Sequence, residues 1–156
     1  MTPSFVAYPR GPRWAAIGFS LVLVVGSLVV GIALGPDVRS RFTAFQVVTL
    51  LVFLLVMITF MCALGFSTVR VLPKGLWFRN GLRTHELPWS DVGEILFRPG
   101  APWPLVVLKG ASAEGDHETM MLMGIQGSDK HYARAQYDAL RIAIAAARAA
   151  EGEEQR

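Results

Sequence analysis

Three histidines are the side chains of this 156-residue chain best suited to moving a proton, and they are scattered. His85 and His117 fall in separate extended stretches, and His131 falls at the start of a helical one. Nucleophilic catalysis needs a nucleophile, a base and a group that orients the base. Neither a Gly-x-Ser-x-Gly turn nor a His-Glu-x-x-His pair supplies them. Asp116-His117-Glu118 has metal-ligating residue types. Successive residues of a strand point to opposite faces, so Asp116 and Glu118 would share a face without His117. The single cysteine, Cys62, lies in an apolar run, where it has no disulfide partner and no metal-site spacing. Gly-rich phosphate loops are absent from the sequence. These residues predict a non-enzymatic protein with no metal site and no cofactor.

The remaining chemistry is that of cations and aromatic rings. Arg70, Lys74 and Arg79 cluster in the sequence around a turn, where they are candidate contacts for an anionic lipid surface. Trp77, Phe78, Trp89, Phe97 and Trp103 could stack on bases or sugars, but core packing explains them better in a segment without net basic charge. Trp103, between Pro102 and Pro104 in a loop, is the exception and the candidate contact for a partner. The basic isoelectric point, about 9.4, does not signal nucleic acid. Residues 1–66 hold four arginines against one aspartate, net +3, whereas residues 67–156 hold 11 basic and 11 acidic side chains.

The elements that must position these groups begin with two apolar runs. Between residues 14 and 66 the only charges are Asp37, Arg39 and Arg41, all in one short stretch. Residues 14–34 and 42–66 are each long enough to cross a hydrocarbon core of about 30 Å at about 1.5 Å per residue. Gly35-Pro36 ends the first run, because proline cannot continue the hydrogen-bond ladder. The first run is also too long for the apolar part of a cleaved signal peptide. Arg10 and Arg13 precede it, and Arg70, Lys74, Arg79 and Arg83 follow the second run, against Arg39 and Arg41 between the two. That balance predicts a multi-pass protein of the cell (inner) membrane with both termini cytoplasmic. Ser27, Gly31 and Gly35 recur every four residues on one face of the first helix. Such a ridge of small residues packs either against the second helix of this chain or against another subunit.

From residue 67 the pattern changes to short alternating stretches. Strands are predicted at 68–72, 76–79, 82–87, 92–98, 105–109 and 117–125. Asn80-Gly81 predicts a type I′ hairpin turn. A helix follows, capped by Ser128 or Asp129, with Ala133, Tyr137, Leu140 and Ile144 on one face. It runs to about residue 150, and residues 151–156 read as a polar tail. The organisation is thus a cytoplasmic segment at 1–13, two transmembrane helices within 14–66, and a cytoplasmic domain at 67–150.

Val71-x-x-x-Gly75-Leu76-Trp77-x-Arg79-Asn80-Gly81, with Leu87-Pro88-Trp89-Ser90-Asp91-Val92 after it, resembles the bacterial PH-like domains. In particular it looks like the actinobacterial membrane proteins grouped as low-molecular-weight-antigen PH domains. The resemblance covers about residues 67–150 and the two preceding helices. It implies a seven-stranded antiparallel β-sandwich or barrel closed by the C-terminal amphipathic helix, with Trp89 packed and Asp91 helping to cap a short turn. The seventh strand would come from residues 101–109 or 124–126. The fold by itself supplies no function. Together these readings predict an interaction module or accessory subunit of a membrane complex, partnered by membrane lipids and by a membrane protein or a second copy. The alternative is an anionic-lipid-binding or membrane-sensing domain.

Overall fold

Proline in a first turn, a capping box and two long apolar stretches fix the helical part of the molecule. In the computed structural model, which describes residues 4–109 and 118–154, α1 spans Gly11–Ala33 with Pro12 in its first turn, where the missing N–H costs nothing. A single turn, α2 (Pro36–Arg39), leads to α3 (Ala44–Gly65). Thr43 Oγ1 accepts from the Gln46 amide at 3.3 Å, and Gln46 Oε1 accepts from the Thr43 amide at 2.9 Å. This reciprocal capping box is the role of Gln46, a polar residue in the first turn of an apolar helix. Thr49 Oγ1 donates back to the Phe45 carbonyl at 2.8 Å, as a hydroxyl in an apolar helix should. Both helices are long and apolar enough to cross a membrane. Their side chains face outward, with Phe45 79% and Ile32 74% exposed. An apolar surface of that extent needs an apolar surrounding, and the molecule is therefore membrane-associated.

Among the described residues seven strands form two antiparallel sheets. The first has the order β1-β2-β3-β4, from Phe5–Ala7, Thr68–Leu72, Gly75–Asn80 and Arg83–Pro88. The second has the order β5-β6-β7, from Val92–Leu96, Leu105–Leu108 and Thr119–Met121. After β7 come a 3₁₀ turn, Gly127–Asp129, and the helix α4, His131–Glu154. The seventh strand is neither of the two stretches the sequence suggested. It is β1, which precedes both apolar helices and pairs Phe5 with Val71 and Ala7 with Val69. Three residues show too little alternation to reveal a strand, and the partner lies more than sixty residues away.

The hairpin after β3 also differs from expectation. Asn80 pairs with Arg83, so the two turn residues are Gly81 and Leu82. Gly81 has φ of +62° and Leu82 is not in the positive-φ region. Glycine at the first central position with positive φ there alone is the signature of a type II′ turn, not type I′. Asn80 is consequently a strand residue whose side chain is free to bond elsewhere.

The two sheets and α4 enclose one core, which includes Val69, Val71, Leu76, Phe78, Val92, Val106, Leu122 and Ile125. Ala7 of β1 is fully buried with them. On α4 the buried apolar side chains are Ala133, Tyr137, Leu140 and Ile144, the stripe its spacing predicted. Trp89 is buried and donates its indole N–H to the Pro73 carbonyl at 3.0 Å. Asp91 accepts the Ser90 hydroxyl at 2.7 Å, while the turn itself is closed by the Asp91 amide on the Pro88 carbonyl at 3.0 Å. The helix α4 continues beyond residue 150 to Glu154.

Candidate functional site

The two apolar helices are inserted between the first two strands of the sandwich, so both helix ends nearest the sheet are tied to it. At this junction α1 and α3 touch closely. A Cβ on Gly65 would lie 2.7 Å from Ala16 Cβ and 3.0 Å from the Pro12 carbonyl oxygen, so only glycine permits the contact. Asp129 completes the junction from the far end of the sequence. Its carboxylate accepts the amides of Arg10 at 2.8 Å and Gly11 at 2.9 Å. The sequence assigned Ser128 or Asp129 to cap α4, whereas Asp129 caps α1. A carboxylate suits the positive end of either helix dipole, and tertiary contact decided which. Arg79 donates a guanidinium N–H to the Phe66 carbonyl, at the other helix end of the junction. Ser67, fully buried, donates to the Ala63 carbonyl at 3.2 Å and accepts the Gly81 amide at 3.1 Å.

Away from the junction the surface between the helices is concave. A groove of about 850 Å³ opens between them, walled by Val22, Gly26, Ser27, Val30 and Gly31 of α1 and by residues of α3 including Leu50 and Leu54. A Cβ on Gly31 or Gly35 would meet nothing within 4 Å. Packing against α3 therefore does not account for the Gly31 and Gly35 positions of the ridge. At the far mouth of the groove Arg39 donates from Nε to the Leu34 carbonyl at 2.7 Å and from Nη2 to the Ile32 carbonyl. Arg39 thus closes the end of α1, where a cation is favoured.

The candidate lipid contacts do not converge. Arg79 stands opposite Thr68 at the helical end of the sheet, Arg70 stands opposite Trp77 in the middle, and Lys74 lies in the turn at the other end. The guanidinium of Arg70 rests over the Trp77 ring, 4.8 Å from its centroid. Trp103 is half-buried rather than freely exposed. Its flanking prolines hold it there, because the Pro102 carbonyl accepts from Gly127 at 2.8 Å and the Pro104 carbonyl from Leu122 at 2.9 Å. His85 stacks on Phe78 with centroids 5.1 Å apart, and His131 is exposed at the start of α4. His117 and Asp116 lie outside the described residues. Among the described residues no three His, Cys, Asp or Glu side chains gather.

Sequence reasoning missed Asn80, whose amide bridges the sheets. Its Nδ2 donates to the Met121 carbonyl at 2.6 Å, and its Oδ1 accepts the Met123 amide at 3.0 Å. It missed Arg148 as well, which reaches the Val92 and Gly93 carbonyls beside the irregular β5–β6 register while covering the Trp89 ring. No motif announces these hydrogen bonds, since their partners are backbone atoms of distant segments.

A seven-stranded sandwich closed by a C-terminal helix, holding an apolar helix pair between its first two strands, defines a membrane-associated protein of PH-like fold. Residues 67–143 match the family model described as a bacterial PH domain, so this part of the chain is similar to that family and PH-like in fold. No curated protein and no solved structure matches the chain. The match begins just after α3 and so omits β1, the strand that ties the domain to the other side of the helix pair.

Proposed function

We propose that this protein is a non-enzymatic, membrane-spanning accessory subunit whose helix pair receives a transmembrane helix of another protein. The open groove between α1 and α3 carries the reading. It is apolar, about 850 Å³ in volume, and lined by Gly26, Ser27 and Gly31, which let a second backbone approach closely. In a bilayer, helix association depends on such packing rather than on water-driven burial. The PH domain then serves as the cytoplasmic body of the subunit. Arg10 and Arg13 on one flank and Arg70, Lys74, Arg79 and Arg83 on the other favour the cytoplasm for both termini. In the opposing loop, Arg39 is spent on helix carbonyls.

Purification from native membranes in mild detergent tests the reading, with the wild type compared to Ser27→Leu and Gly31→Leu. Both positions line open space, so the variants should fold and insert as the wild type does. The expected result is a defined partner with the wild type that is lost with either leucine. A partner retained by both variants, or a monodisperse wild type that carries none, would count against it. Lipid alone filling the groove would appear as the second result.

A further inference from the structure

The β3–β4 hairpin ends in an apolar side chain that none of the described residues covers. Leu82, the second turn residue, is 77% exposed. The tip lies at the helical end of the sandwich, because Asn80 and Arg83 close the hairpin next to the Thr68–Arg79 pair, immediately after α3. The Gly81 amide donates to Ser67 Oγ at 3.1 Å, and Ser67 Oγ donates to the Ala63 carbonyl in the last turn of α3 at 3.2 Å. A Cβ on Gly81 would stand 3.7 Å from Ala63 Cβ. The tip is therefore fastened to the end of an apolar helix and cannot swing away without breaking those bonds. Arg83, exposed, follows Leu82, and no acidic residue occurs between Arg79 and Glu86. Asn80 holds Met121 alongside, and that side chain is 44% exposed. The same end of the molecule carries Trp14, 73% exposed, and Arg13 over the rings of Tyr8 and Phe66.

We propose that the β3–β4 tip is a bilayer-contact site, with Leu82 entering the boundary between headgroups and acyl chains and Arg83 at the level of the phosphates. The partner is the lipid surface itself. This inference rests on the reading that α1 and α3 cross a bilayer. An exposed aliphatic side chain followed by a cation matches the two layers of that boundary, and Trp14 belongs to the same level. Arg83 makes anionic lipid the favoured surface. The tip adds a third point of attachment to the two helix ends. Three points fix the tilt of the PH domain against the membrane, where two would leave it free to rock.

The test uses the full chain in vesicles of phosphatidylcholine and phosphatidylglycerol, with Cys62→Ser as background. Single cysteines are introduced as Leu82→Cys, Ser90→Cys and Leu51→Cys and labelled with an environment-sensitive fluorophore. Ser90, exposed, lies beyond the opposite end of β4, and Leu51 lies within α3. The expected result is blue-shifted emission quenched by lipid-borne quenchers at 82 and 51, with water-like emission at 90. Water-like emission at 82 with quenching at 51 overturns the bilayer contact and leaves the spanning helices standing. Water-like emission at 51 overturns both. A label-free variant, Leu82→Asp, should lose the hydrogen-exchange protection that vesicles confer on residues 80–84. Unchanged protection would also overturn the proposal.

Discussion

Asp129 and Gly11 meet across more than a hundred residues of sequence, and each explains the other. The carboxylate supplies the N-terminal cap that α1 lacks locally, since Arg10 offers no side-chain cap of its own. Gly11 is small because a Cβ there would lie 2.5 Å from Asp129 Oδ1. Loss of a helix cap costs about 1 kcal/mol, so Asp129→Ala should lower unfolding stability in detergent by about that amount. Gly11→Ala should cost about as much in the wild type by displacing the carboxylate. It should be close to neutral in the Asp129→Ala background, a non-additivity that a double-mutant cycle measures directly. The residue after Asp129 is strained. Lys130 has φ of 49° and ψ of −114°, a region that L side chains rarely adopt. Backbone strain of this kind costs about 1–3 kcal/mol. Lys130→Gly should therefore raise stability by about 1 kcal/mol, read as an upward shift of the thermal midpoint.

At the scale of elements, the sandwich is held by side chains that stand in for missing strand pairs. The first sheet ends in β4 and the second in β7, and no ladder joins β3 to the segment that follows β7. Asn80 supplies both a donor and an acceptor there, to Met121 and Met123. Asn80→Ala removes two bonds and leaves the part-buried Met123 amide without its partner. An unsatisfied buried group costs about 1–3 kcal/mol, which chemical denaturation of the detergent-solubilised protein should register. Asn80→Asp keeps only the acceptor and should fall between the two. The hairpin turn itself should survive both changes, because Gly81 and not Asn80 carries the positive φ.

For the whole molecule, the decisive feature is that the helix pair interrupts the domain instead of preceding it. The strand β1 lies on one side of the pair, β2 on the other, and the two are hydrogen-bonded neighbours. Any bilayer crossed by α1 and α3 therefore has β1 and the rest of the domain on one side. The first sheet is complete only when α1 and α3 bring β1 back beside β2, which couples the helix pair to the sheet. Ala7→Asp tests this coupling. It buries a carboxylate at a fully buried position of β1, at a cost of about 3 kcal/mol or more. Loss of β1 should turn β2 into an edge strand. Hydrogen exchange should then accelerate in β2 while β5 and β6 stay protected.

The sequence by itself determined both apolar helices, six of the strands, the buried stripe of α4 and the PH-like resemblance. Each rests on short-range signals, namely run length, alternation, helical spacing and a turn motif around Trp89. Those signals lie within one continuous segment, and a linear reading can register them. Only the tertiary structure decided that residues 5–7 complete the sheet, that Asp129 caps α1, and that Asn80 bridges the sheets. The same holds for the scatter of Arg70, Lys74 and Arg79 along one hairpin and for the groove left open beside Gly31. In the first three the partner is a backbone atom contributed by a distant segment. Backbone amides and carbonyls are the same in every sequence, so which of them a side chain reaches is fixed only when the chain has folded.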